Sequence, residues 1–161
     1  MRRMSVLCSC CVILATMLPA GESAAASKSS NVSTAWMDIA VSASWKHMDY
    51  PTKSMFNMEK QLSALTTQYI LMSYVPNAAV PAEKFLADYV KNNPKLKASP
   101  PDTVTFGATK YWRTRYDYGG PQVMLCATVK STMVTITLQG KDLEKDADVL
   151  AMLGSMKYKF K

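Results

Sequence analysis

From Thr103 onward, apolar and polar residues alternate with a period of two, which is the signature of a half-buried sheet. Thr103–Phe106, Ala108–Tyr118, Gln122–Val129 and Met133–Gln139 are predicted as successive strands. Gly107 marks a bulge or bend, Gly119-Gly120-Pro121 a hairpin turn and Lys130-Ser131-Thr132 a second one, and Gly140 closes the sheet. Upstream, the alternation of Trp36, Ile39, Val41 and Trp45 predicts a first strand over 37–44, and the apolar run from Tyr69 to Val75 a buried strand closed by Pro76-Asn77. Three segments carry a helical period instead. Met55, Met58, Leu62 and Leu65, with Glu59, Lys60 and Gln61 between them, predict a short helix over 54–65. Pro81 opens the clearest helix, with Phe85, Leu86, Tyr89 and Val90 on one face, Lys84, Asp88 and Lys91 on the other, and Asn92-Asn93-Pro94 as its stop. A last helix is predicted from Leu143 to Lys157, with Val149, Leu150, Leu153 and Met156 inward. Asp142, Glu144, Asp146 and Asp148 crowd its start and lysines its end, the charge order that the helix dipole favours. Residues 46–53 and the proline-rich 94–102 read as loops. The element order implies an α+β domain with a single antiparallel β-sheet and helices packed on it.

The first 26 residues follow a different logic. Arg2 and Arg3 precede an apolar stretch from Val6 to Leu18, Pro19 and Gly21 break it, and Ser23-Ala24-Ala25-Ala26 supplies small residues for cleavage. That order is expected of a secretory signal peptide, because the apolar run is too short to span a bilayer. Residues 27–34 are small and polar, the expected disordered leader, and 35–161 form the expected single domain. Cleavage within Ala25–Ser27 removes Cys8, Cys10 and Cys11, so the mature chain keeps Cys126 alone and no intramolecular disulfide can form. Those three cysteines lie at the start of the apolar stretch, where a lipid-anchor cysteine does not belong. The expected location is periplasmic or secreted, with no transmembrane segment after cleavage. The net charge of +7 over 161 residues suits solubility first and contact with anionic lipid, envelope polymers or acidic proteins second; nucleic acid does not fit the compartment. Asn31-Val32-Ser33 matches a glycosylation acceptor whose use depends on the host.

Several features converge on a known pattern. They are Trp45 after the first strand, Val75-Pro76 after the second, the helix over Ala82–Val90 and the long strand through Gly107-Ala-Thr-Lys-Tyr-Trp-Arg-Thr-Arg-Tyr116. The Gly119-Gly120 hairpin and a closing helix through Leu153-Gly-Ser-Met156-Lys complete it. Over residues 36–158 the chain resembles the PsbP-like superfamily, the fold shared by PsbP, the Ran-binding nuclear import factor and the envelope protein DcrB. The resemblance implies a binding or assembly factor rather than an enzyme. It supplies no functional residue, because it rests on element order and scattered aromatics.

Enzyme chemistry is poorly supplied. His47 is the single histidine, so a multi-histidine metal centre is impossible within one chain. A nucleophilic Cys126–His47 pair is set against a cysteine buried in Met124-Leu-Cys-Ala-Thr-Val129, the ordinary outcome for an apolar strand. No Gly-x-Ser-x-Gly elbow supports a serine hydrolase. Asp142-x-Glu144-x-Asp146-x-Asp148 spaces oxygens like a calcium loop, but Ala147 replaces the glycine at its sixth position and Leu153 the glutamate at its twelfth. Nine methionines remain after cleavage. His47, Met48, Met55 and Met58 form a soft ligand set suited to Cu(I), against the alternative that Met55 and Met58 fill the core beside Leu62 and Leu65. In a strand through Lys110–Tyr116, the side chains of Tyr111, Arg113 and Arg115 share one face, with Asp117 following in the same parity. That face could grip a carboxylate or phosphate, or be a solvated surface with arginine stems over aromatics. The expected function is therefore an exported, non-enzymatic binding or assembly-accessory domain of the cell envelope. Its partner is an envelope protein or anionic ligand met at Tyr111, Arg113 and Arg115, and no cofactor is implied. A Cu(I)-binding protein is the alternative.

Overall fold

The computed structural model describes residues 28–48 and 52–161. The signal segment with Cys8, Cys10 and Cys11 lies outside the described residues. In chain order the elements are β1 (Ser29–Ser33), β2 (Met37–Ser42), β3 (Lys46–Met48), β4 (Met55–Ser63), β5 (Thr66–Val75) and α1 (Ala82–Asn92). There follow β6 (Asp102–Phe106), β7 (Thr109–Asp117), β8 (Pro121–Val129), β9 (Thr132–Gln139), α2 (Ala147–Ser155) and β10 (Lys157–Tyr158). The α+β class holds, but the expected single sheet is two. Seven strands pair in the order β3-β4-β5-β9-β8-β7-β6, every neighbour antiparallel, and β1-β2-β10 form a separate three-stranded sheet.

Register sorts the main sheet into two faces, because residues directly opposite one another point the same way. On one face Met58, Ile70, Leu138 and Val123 form a row across four strands, and Phe56, Met72, Ile136 and Leu125 form the next. The small sheet and α2 cover these rows, and Trp36, Met37, Ile39, Val149, Met152 and Leu153 complete one core. On the opposite face α1 packs Leu86 and Phe85 over Trp112, Met124 and Cys126. Helix α2 lies close to the β6–β7 turn. A Cβ on Gly107, whose φ is +56°, would meet the carbonyl oxygen of Gly154 at 2.6 Å, so that approach needs a glycine at position 107. No helix among the described residues is long and apolar enough to cross a membrane.

Four sequence expectations need correction. Residues 55–63 form β4, not a helix. The helical spacing of Met55, Met58, Leu62 and Leu65 loses to pairing with β5, which buries Phe56 and Met58 and leaves Leu62 and Leu65 exposed at the hairpin tip. Ser29–Ser33, within the expected leader, forms β1 along β2, so its backbone groups have partners there. Lys46–Met48 pairs with β4 as β3. The long closing helix is interrupted: Leu143–Lys145 is a 3-10 turn, and Asp146, extended at φ −65° and ψ 124°, accepts the Val149 N–H as the cap of α2.

Candidate functional site

Arg113 and Arg115 sit where the core face of the main sheet meets the 3-10 turn before α2. Cross-strand register puts Asp102 of β6 opposite Arg113. The two join in a fork: Arg113 Nε donates to Asp102 Oδ1 and Nη2 to Oδ2, both at 2.7 Å. Arg113 Nη1 reaches Glu144 Oε2 at 3.3 Å. Arg115 donates through Nε to both oxygens of Glu144, at 2.8 and 2.9 Å, and through Nη1 to Asp102 Oδ2 at 3.4 Å. Two cations and two carboxylates thus close a four-membered network. The Arg113 hydrogen bonds hold the Asp102 carboxyl below its usual value, against an opposing burial effect. Glu144 beside Arg115 raises that guanidinium further. The arginines divide the work. All three nitrogens of Arg113 are engaged, and its side chain is 18% exposed. Arg115 is 39% exposed, and its Nη2 has no partner among the described residues.

Arg115 also lines a cleft of about 340 Å³ at one end of the main sheet. Lys97 and Lys141 line it as well, together with Asp117, Asp142 and Glu144. The carboxylates have partners: Glu144 in the arginine network, Asp142 with Lys145 at 3.6 Å, and Asp117 as acceptor from the Gly120 N–H. The Lys97 and Lys141 ammonium groups have none among the described residues. Lys97 and Asp142 both adopt left-handed backbone, at φ 48° and 58°, a conformation that costs non-glycine residues energy and concentrates at functional sites.

Tyr111 shares the arginines' face but not their cleft. It is wholly buried in the core beside Phe106, and its hydroxyl lies 2.6 Å from that of Tyr158. Burial raises the Tyr111 phenol to about 12, and burial with the neighbouring phenol raises Tyr158 still further. Asp117 pairs with neither Arg113 nor Arg115.

The copper ligand set does not converge, and the strand geometry corrects that reading. His47 pairs with Met58, on the core face, and its ring stacks on Phe56 at 4.4 Å. Met48 pairs with Asn57 and Met55 with Ser73, on the opposite face. Met58 is 0% exposed within the core. Cys126 is likewise sealed, under α1, and burial pushes its thiol up to about 12. His47 and Cys126 face opposite sides of the sheet, four strands apart, which is roughly 19 Å at ordinary strand spacing. The acidic run acts as helix punctuation and tether: Asp146 caps α2, and Asp148 accepts from Ser44 Oγ at 2.6 Å.

Four site residues were not found from the sequence: Asp102, Glu144, Lys97 and Lys141. A signal for Asp102 existed. A two-residue turn at Gly107-Ala108 sets Phe106 opposite Thr109, and counting back sets Asp102 opposite Arg113. Glu144 and the lysines arrive through long-range packing and carry no local signal.

No family model and no curated protein matches the chain. Among solved structures it is similar to cyanobacterial PsbP (CyanoP) from Synechocystis, with a TM-score of 0.53 and 11% identity over 86% of this chain and 96% of that one. It is also similar to a crystal structure from Bacteroides thetaiotaomicron, with a TM-score of 0.54 and 10% identity over 84% of this chain and 50% of that one. The chain thus spans about half the length of the Bacteroides protein. At such identities the likeness is one of fold: the domain has a PsbP-like fold, as its element order and aromatics implied.

Proposed function

We propose that this is an exported, non-enzymatic accessory domain that binds an envelope partner, seating an anionic group of that partner in the cleft between Lys97, Arg115 and Lys141. The observation that carries the reading is the unspent charge there. Among the described residues, two ammonium groups without ion partners and an Arg115 Nη2 without a partner line one concave site, while Arg113 holds the local carboxylates. A carboxylate or phosphate entering the cleft would meet preorganised donors without first breaking the Arg113 fork. Export is supported by the signal pattern of residues 1–26. The non-enzymatic part is supported by the placement of the two most reactive side chains, with Cys126 beneath a helix and His47 against Phe56 on the far face.

The test is affinity capture from envelope extract with wild-type protein and the Lys97→Gln, Arg115→Gln double variant. Losing charge-assisted contacts of about 1.5–3 kcal/mol each should reduce capture at least tenfold, with little change in melting temperature. Undiminished capture would remove the cleft from the account.

A further inference from the structure

Five large hydrophobic side chains are exposed among the described residues, and three lie at one end of the main sheet: Leu62 at 53%, Leu65 at 97% and Tyr118 at 71%. The register shows this common end. Tyr69, Gln139, Gln122 and Tyr116 form one row across β5, β9, β8 and β7. The β4–β5 and β7–β8 hairpins both turn beyond it. Leu65 stands four residues past that row, roughly 13 Å at the strand rise. Its N–H is fixed to Ser63 Oγ at 3.3 Å, so the tip has a defined turn.

Cations sit back from this apolar tip. Lys46, opposite Glu59 near the base of the hairpin, has an 81% exposed side chain in a long 3.9 Å pairing. Lys141 is anchored beside the start of β5, where its carbonyl accepts from Gln68 Nε2 at 3.2 Å, and its ammonium has no partner among the described residues. The carboxylates of this end are Glu59, Asp117, Asp142, Glu144 and Asp146. Of these, Glu144 and Asp146 are taken by the arginines and Lys60. A projecting leucine tip with ammonium groups behind it has the layout of an interfacial bilayer contact, in which leucines reach the acyl boundary and lysines remain at the phosphates. The processed chain, having lost Arg2, Arg3 and Glu22 from a total of +7, keeps a net charge of about +6 that acts in the same direction.

We infer that this end of the sheet docks on an anionic bilayer surface, with Leu62 and Leu65 of the β4–β5 tip entering the headgroup–acyl boundary and Lys46 and Lys141 meeting lipid phosphates. The inference goes beyond the cleft reading: it shares Lys141 with the cleft but stands on the leucines, which lie outside it.

The test is flotation of the processed protein, purified from the envelope fraction, with vesicles of phosphatidylglycerol and phosphatidylethanolamine or of phosphatidylcholine alone. Binding to the anionic vesicles, weakened by salt, is expected. Leu62→Ser with Leu65→Ser should reduce it about tenfold at an unchanged melting temperature, since both side chains are already in water. Tyr118→Ser, on the neighbouring hairpin, gives a second reading should the double variant lose stability. The Lys97→Gln, Arg115→Gln variant should float like wild type, and the leucine variant should still capture the cleft's partner, which separates failure of one reading from failure of the other. Absence of flotation, equal binding to neutral vesicles, or undiminished flotation of both tip variants would overturn the inference. So would loss of a protein contact, in place of vesicle binding, in the leucine variant.

Discussion

Replacing Arg113 by alanine should destabilise the fold far more than the same change at Arg115, although both lie on one face of one strand. Arg113→Ala removes the fork to Asp102 and one of the two cations on Glu144. Glu144, 18% exposed, keeps Arg115; Asp102, 46% exposed, keeps only a 3.4 Å contact to Arg115 and otherwise turns to water. A charge-assisted hydrogen bond contributes about 1.5–3 kcal/mol and an exposed ion pair about 0–1 kcal/mol. Weighting the three lost bonds by that exposure gives a loss of about 2 kcal/mol, together with some packing of the arginine stem. Arg115→Ala leaves Glu144 bound to Arg113 and should cost about 0.5 kcal/mol. The assay is urea unfolding followed by tryptophan fluorescence, with Trp36 and Trp45 buried in the core. The midpoint should fall clearly for Arg113→Ala and barely for Arg115→Ala, at an unchanged slope. Equal losses, or losses below about 0.5 kcal/mol for both, would refute the division between a structural and an available arginine.

The Asp102 carboxyl is held low by Arg113 in the fold, so its stabilisation is complete above its unfolded value near 4 and disappears as pH falls through the lower folded value; acid unfolding of Asp102→Asn should be less steep over that window, and an unchanged acid limb would contradict it. Met58→Ala should cost about 2–5 kcal/mol and Met55→Ala about 1 kcal/mol or less, because only Met58 is sealed in the core; similar losses in chemical denaturation would restore a shared helical face. Native Cys126 should resist alkylation until the protein unfolds, since burial leaves almost no thiolate at neutral pH; rapid labelling under native conditions would contradict its placement beneath α1. Gly107→Ala should destabilise by at least about 2 kcal/mol through its positive φ and its collision with the Gly154 carbonyl, and a melting temperature within a degree or so of wild type would show that the β6–β7 turn shifts without cost.

The strands from Thr103 onward were legible because their turns carry explicit chemistry, with Gly107, the Gly119-Gly120 pair and the two-residue Lys130-Ser131 turn setting register and spacing. Helix α1 was legible because Pro81 and Asn92-Asn93-Pro94 bracket a clear apolar face. Residues 55–63 were misread because Met58 and Leu62 satisfy both periods, and only the partner strand β5 decides between them. The small sheet was hidden for a different reason. Ser29–Ser33 has no apolar alternation of its own, and its order comes from backbone pairing with β2, to which small polar side chains are no obstacle. Within the site, strand parity placed Tyr111, Arg113 and Arg115 on one face, as found. It could not tell that Tyr111 is buried in the core against Tyr158, nor that Glu144 returns from a distant turn to join Arg115.

The central claim is that the cleft of Lys97, Arg115 and Lys141 meets a partner in the envelope. A photo-crosslinking residue placed in vivo at Lys141, on the cleft rim, and separately at Lys53, outside the cleft, tests it most directly. The account predicts a discrete adduct from position 141, absent from position 53 and abolished when Lys97→Gln and Arg115→Gln are added. No adduct at 141, the same adducts from both positions, or an adduct that persists in the double variant would contradict it.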